Sequence, residues 1–286
     1  MAETLKDQPF ILPYAFVSLF HVAGLSLLCK AKRRFPNQRI LTMNLAATEM
    51  FWCLNMVVLF STIQYLRSKP VLDYFLHFFT VLLYVELRLT MLHTIIDRFL
   101  EIHTTIKYPH YMTKKKVKII MASLWLVSGV CASISLILKS EGHRANFHLM
   151  LSLVLDILIF FGAAATYGYF FNTVFKLKRL ESSLPVESRT TSASLLIKKF
   201  AMSCYIVFTY ICFNLASTTL IAYDHYIPKE KRNPIIEVLA RTAIILGLIS
   251  DATIYIFANK NVRSLLCSLC RKRDNHVSSG VTNDTM

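Results

Sequence analysis

Long apolar runs separated by short polar connections dominate the chain. Seven windows stand out: Phe10–Cys29, Ile40–Leu66, Val71–Ile96, Ile119–Leu138, Phe147–Phe175, Phe200–Tyr223 and Pro234–Ala258. Each reaches the length of about 20 residues at which an α-helix crosses the hydrocarbon core of a bilayer. The first, fourth and sixth contain no Asp, Glu, Lys or Arg, and the others hold isolated charges. So many windows of this length argue against a very apolar soluble bundle. The pattern predicts an all-α, polytopic membrane protein whose seven-transmembrane helix bundle occupies residues 10–258. Residues 1–9 precede it as an N-terminal segment. A short basic amphipathic stretch follows at 259–270, then a polar tail at 271–286.

Composition agrees. Of 286 residues, 55% are hydrophobic and 17% charged, with mean hydropathy +0.47, more apolar than a soluble domain carries. The balance of 32 Lys and Arg against 17 Asp and Glu raises nucleic acid as a partner, and the distribution of the charges decides against it. Lys30, Lys32, Arg33, Arg34 and Arg39 follow the first window. Arg98, Lys107, Lys114, Lys115, Lys116 and Lys118 follow the third, and Lys176, Lys178, Arg179, Arg189, Lys198 and Lys199 the fifth. Lys260, Arg263, Arg271, Lys272 and Arg273 lie after the last. The alternate side holds only Lys6, Arg67, Lys69, Lys139, Arg144, Lys229, Lys231 and Arg232. Basic loops stay cytoplasmic, so the N-terminus is expected outside and the tail in the cytosol. Anionic lipid of the inner leaflet is the natural partner for this charge, and no nucleic acid is expected.

The seven Cys show neither a paired framework nor zinc spacing. None of the nine His are paired i,i+4 inside one window, so no metal site is expected. That weighs against a seven-span metallohydrolase, and the lack of a visible repeat of halves weighs against an inverted-repeat transporter. With so short an N-terminal segment, an external ligand is expected to bind among the helices or at their rims.

One charged pair is out of keeping with its surroundings. In LHTIIDRFLEIHTTIKYP, Leu92 to Pro109, Asp97 and Arg98 close a run of apolar residues. Arg98 can snorkel to the interface as a plain anchor. Asp97 is then unexplained, because an acid in the last turn opposes the helix macrodipole. Neutralising Arg98 gives it a role.

Asp97-Arg98-Phe99, with Lys107-Tyr108-Pro109 beyond, resembles the Asp-Arg-Tyr motif of rhodopsin-like (class A) G-protein-coupled receptors, Phe99 standing in the Tyr place. Asn44–Glu49, NLAATE, is similar to their second-helix Asn-Leu-Ala-x-x-Asp. Trp125 sits where the fourth helix carries its Trp, and Asp251–Tyr255, DATIY, resembles Asn-Pro-x-x-Tyr. The resemblance covers Phe10 to Cys270. It implies a receptor that carries the signal of an unknown extracellular small ligand to a heterotrimeric G protein at the plasma membrane. Arg98 would leave Asp97 when the fifth and sixth spans move, supported by Tyr255 and by Tyr167 or Tyr169. Residues 259–270 would form an amphipathic eighth helix, where Cys267 and Cys270 are candidates for palmitoylation.

The family's motifs are incomplete here. The family's outer disulfide has no cysteines to form it, so a looser outer rim is expected. YICFNLAST of span six lacks the family's Trp and Pro, and spans five, six and seven carry no interior Pro hinge. SLLIKKF, at the start of span six, has no acid to clasp Arg98 across the bundle, so a weaker inactive-state lock is expected. These departures keep open a receptor fold that acts as a decoy or trafficking partner without coupling, and a membrane enzyme or transporter that uses the buried acids.

Ionisable groups at membrane depth mark functional sites by default. By the family's spacing, His21, Glu49 and Asp251 form one cluster. Two close carboxylates need a proton, a cation or His⁺. An allosteric sodium ion or a proton is therefore one reading, and a permanently protonated hydrogen-bonded pair is the other; no further cofactor is expected. Thr80 occupies the place where an amine receptor has its Asp, and Ile245 the place of an opsin's Lys. Glu86, Glu237 and Arg241 are, with Thr80, the candidate ligand contacts, and Glu237–Arg241 equally suits a rim ion pair. Glu86 and Arg88 must face different ways, and Asp156 is a possible partner for Arg88.

Overall fold

The computed structural model describes residues 8–30, 36–66, 69–104, 107–140, 144–183, 192–227 and 233–257. Every element among them is helical. They are α1 (Gln8–Lys30), α2 (Pro36–Leu66), α3 (Pro70–His103), α4 (Tyr108–Tyr111), α5 (Lys114–Ser140), α6 (Arg144–Ser183), α7 (Ser192–Thr209), α8 (Ala216–Tyr226) and α9 (Pro234–Phe257), with α7 and α8 joined through a π-helical turn, Tyr210–Leu215. Pro36, Pro70 and Pro234 each open a helix, where the missing N–H costs no hydrogen bond. The residues expected to form an eighth helix and tail, Cys267 and Cys270 among them, lie outside the described residues.

Among the described residues, six helices are long and apolar enough to cross a membrane: Phe10–Lys30, Ile40–Thr62, Pro70–His103, Lys114–Lys139, Met150–Leu180 and Cys204–Tyr223. The chain is thus built as a membrane-embedded, multi-pass helical protein. Helix α9 packs with them and carries Glu237, Arg241 and Asp251. Helix α3 outruns its apolar window by a turn or more, and its 34 residues extend about 51 Å at 1.5 Å per residue.

Contacts close a ring around α3. Helix α1 packs on α2, α2 on α5, α5 on α6, α6 on α7 and α8, α8 on α9, and α9 back on α1. Helix α3 touches α2, α5, α6 and α7 from inside. One core cluster joins Leu28, Leu45, Met91, Ile95, Ile159, Ile206 and Ile256. A second, toward the Asp73 end, joins Tyr14, Val17, Trp52, Leu83 and Leu248.

Polarity runs inside out. Leu126, Phe161 and Phe208 are at least 65% exposed, whereas Glu86, Arg88, Asp97, Arg98, Asp156 and Asp251 are at most 1% exposed. A soluble bundle would bury the first group and hydrate the second. In a bilayer, lipid covers the apolar exterior, and charges must be matched within the protein.

Among the described residues, Cys53, Cys131, Cys204 and Cys212 form no disulfide. An ion pair ties the start of α3 to the end of α5 instead. Lys139 Nζ lies 2.5 Å from Asp73 Oδ2, donates to the Asp73 carbonyl at 3.2 Å and sits 4.8 Å above the Tyr74 ring. The aromatic residues of this part of α3 divide by direction. Phe75 is exposed and packs against Phe79 at a tilt, while Tyr84 packs on Trp52 inside.

The π-turn breaks the regular spacing that a Pro-free span six predicts. Its i→i+5 bonding accommodates one extra residue. Ser217 and Thr218 hydroxyls both donate to the Asn214 carbonyl, at 2.8 and 3.0 Å, which compensates the disturbed ladder. Gly247 of α9 lets the turn come close: a Cβ there would meet Phe213 Cβ at 3.0 Å. Gly247→Val is therefore expected to destabilise the fold by ~1–3 kcal/mol. Gly168→Ala, with nothing within 4 Å of the added carbon, should be neutral or stabilising. Thermal unfolding of the two variants in one detergent checks this, and equal midpoints would refute the close-approach argument.

Candidate functional site

Four polar assemblies lie inside the ring, and α3 contributes to three. The one nearest its C-terminal end is built on Arg98. One Nη donates to Asp97 and the other to Glu101, one helical turn on. Tyr108 of α4 donates to the second oxygen of Asp97 at 2.6 Å. Burial, with the Asp97 carboxylate beside it, pushes the Tyr108 phenol above its ordinary range, so it remains a donor. The Phe200 ring of α7 lies 5.7 Å from the Arg98 guanidinium carbon. Arg98 is thus held by two carboxylates of its own helix and covered by an aromatic ring. Span six has no acid here; Glu101 of α3 itself takes that part. The sequence reading missed it, although DRFLE carries the i,i+3 spacing that offers it.

The neighbouring candidates separate. Tyr167 is half-buried, packs against the main core and hydrogen-bonds to Cys204. Tyr169 faces outward, where its hydroxyl lies 3.4 Å from His103 Nδ1. Phe99 joins this outer group, its ring stacked on His103 at 5.8 Å. Tyr255 lies on α9, and its side chain is outside the described residues.

Ten residues earlier on α3, Arg88 forms the second assembly. One Nη donates to Asp156 Oδ2 at 3.1 Å, and Nε lies 3.0 Å from Asp156 Oδ1 without hydrogen-bond geometry, an ion pair across to α6. The same Nη lies within donating distance of the Tyr84 hydroxyl at 2.5 Å and Thr218 Oγ1 at 2.9 Å. Tyr210, the first residue of the π-turn, donates to Asp156 Oδ1 at 2.7 Å. The pairing that sequence left open is made, and Tyr210 and Thr218 join it without a sequence signal.

Glu86, two residues before Arg88, faces the other way. It accepts from Asn44 Nδ2 at 3.1 Å, Thr90 Oγ1 at 3.0 Å and Ser128 Oγ at 3.0 Å. Trp125 Nε1 donates to Asn44 Oδ1 at 3.0 Å, completing a belt through α2, α3 and α5. The Asn44 and Trp125 of the sequence motifs are therefore partners of this acid. Thr80 lies apart from it, accepting from Asn55 at 2.8 Å.

The fourth assembly joins His21, Glu49 and Asp251. His21 Nδ1 lies 3.5 Å from Glu49 Oε2, and Glu49 hydrogen-bonds to Asp251. Two carboxyl groups sharing a hydrogen bond require a proton on one of them. Thr209, the last residue of α7, donates to Asp251 Oδ1 at 2.6 Å. At the far end of α9, Arg241 donates to Glu237 at 2.5 Å and lies 5.3 and 5.2 Å from the Phe10 and Phe60 rings. The candidate contacts Thr80, Glu86 and Arg241–Glu237 thus occupy three separate places. Among the described residues no group of three or more His, Cys, Asp or Glu side chains is arranged to hold a metal ion. No protein-family model matches the chain, and no curated protein matches it.

Breaking a buried ion pair strands a charge, at ~3–5 kcal/mol. Asp156→Asn is expected to cost about that much. Arg88→Met combined with Asp156→Leu, which removes both charges, should recover most of the loss. Thermal unfolding in detergent decides; a double variant no better than Asp156→Asn would refute the electrostatic account.

Proposed function

We propose that this protein is a rhodopsin-like G-protein-coupled receptor of the plasma membrane, its N-terminus outside and the Arg98 end of the bundle in the cytosol. The observation that carries the reading is the enclosure of Arg98. A guanidinium at the end of the central helix is held by acids of that helix and capped by Phe200 from α7. Movement of α7 would uncover it and give a cytosolic partner a charged, directional anchor. Tyr167, packed inside beside Cys204, stands ready to enter the space α7 leaves.

A ligand drives such a change only if it binds the two states unequally. Arg241, with Glu237, Phe10 and Phe60, lies at the end of the bundle opposite Arg98. It presents a cation and aromatic rings to a small anionic ligand. The His21–Glu49–Asp251 cluster lies between the two ends and binds Thr209 of α7. A proton or sodium ion there biases the same helix. The 259–270 segment is read as an eighth helix, anchored by acylated Cys267 and Cys270.

A panel of chimeric G proteins, expressed with the native chain and with single variants, tests the reading. Arg98→Ala is expected to abolish coupling at unchanged surface expression. Glu101→Gln removes one of the two clasps and is expected to raise ligand-free signalling about tenfold, equivalent to ~1.4 kcal/mol in a two-state balance. If no chimera responds to either the native chain or Glu101→Gln, the receptor reading is lost. Glu49→Gln is expected to remove the dependence of signalling on external sodium and pH; a response identical to the native chain's would exclude the cluster as a sensor.

A further inference from the structure

We infer that the π-turn Tyr210–Leu215 is a two-register switch, that the Arg88–Asp156 pair holds it in its wide form, and that its register sets whether Phe200 covers Arg98. The pair grips the turn from both sides. Asp156 accepts from Tyr210, its first residue, and Arg88 donates to Thr218, three residues past its last. Asp251 holds Thr209 on the α7 side. These anchors from other helices are two acids and one guanidinium, all nearly fully buried, and the Tyr84 hydroxyl of α3 lies 3.4 Å from Thr218 beside them.

A π-turn holds one residue more than the α-helix around it. Once Tyr210 and Thr218 are free, the backbone can close to i→i+4 bonding. Closure by one residue turns α7 relative to α8 by about 100° and shifts it by about 1.5 Å. Phe200 lies on α7, and such a turn carries its ring away from Arg98. The three hydroxyls at Ser217, Thr218 and Thr209 bond to carbonyls or acids near the turn, so the wide form is supported rather than merely tolerated. Gly247 leaves the space into which Phe213 bulges. The switch supplies, without proline, the hinge that the sequence of span six lacks. Its consequence for Arg98 rests on the receptor reading; the change of register does not.

The test uses the full chain in lipid nanodiscs, with nitroxides on keto side chains introduced at positions 180 and 197, exposed sites on α6 and α7. Distances are measured by electron–electron double resonance. Three proteins are compared: the native sequence, Tyr210→Phe with Thr218→Val, and a deletion of Cys212 that forces the α register. The native chain is expected to give one distance, the double variant a second population, and the deletion that second distance alone. A double variant that keeps the single native distance overturns the switch. Should the deletion fail to fold, hydrogen exchange decides: amides 210–218 must lose protection in the double variant while those of α3 do not, and unchanged protection overturns the proposal. G-protein activation is read in parallel. A new distance without any G-protein response retires the receptor reading and leaves the switch standing. Coupling by the native chain with an unmoved double variant retires the switch alone.

Discussion

A guanidinium in hydrocarbon must find its counter-charges and acceptors within the protein, and two arginines of one helix impose that demand on the whole bundle. Arg88 and Arg98 lie ten residues apart on α3, about 15 Å along its axis. Neither can reach water sideways, because both are almost wholly enclosed. The helices around α3 must therefore bring acids and hydroxyls to fixed heights. Asp156 of α6, Tyr210 of the π-turn and Thr218 of α8 meet one arginine, and Tyr108 of α4 and Phe200 of α7 attend the other. The ring is closed by apolar packing, but its register is specified by these few directional contacts.

The two arginines are partnered differently, and the difference matters. Arg88 is bound to α6 through a buried ion pair with Asp156, so separating α3 from α6 strands two charges. Arg98 keeps its acids on its own helix, Asp97 and Glu101, so α7 can leave without breaking a charge pair. One arginine is a bolt and the other is a covered contact. That division suits a bundle whose middle stays assembled while one end opens, which is what the receptor reading requires of it.

Polar groups without a fixed cation form the remaining layers. Glu86 is satisfied by three neutral donors from three helices, and Glu49 and Asp251 by each other, His21 and Thr209. Each joins helices that are distant in sequence, and each lies close to the π-turn or the α3 axis. Hydroxyls of Thr90, Ser128 and Thr209 carry much of the work, because they donate to an acid at no cost in charge.

The residues themselves determined the helical, multi-pass character, since apolar runs of bilayer length admit no other backbone that satisfies its own hydrogen bonds in lipid. They also marked most of the buried charges, and short-range geometry made some partners readable: Asp97 for Arg98, Glu237 for Arg241; Glu101, three residues past Arg98, was passed over. Long-range partners were another matter. Periodicity puts Tyr167 and Tyr169 on opposite faces but does not say which faces inward, nor does it show that Tyr210 and Thr218 grip one ion pair. Those assignments depend on how helices rotate about their axes, and rotation is set by packing between segments far apart in the chain. The π-turn is the sharpest case. No Pro or Gly announces it, and only the meeting of α6, α9 and α3 around YICFNL decides that an extra residue is held there.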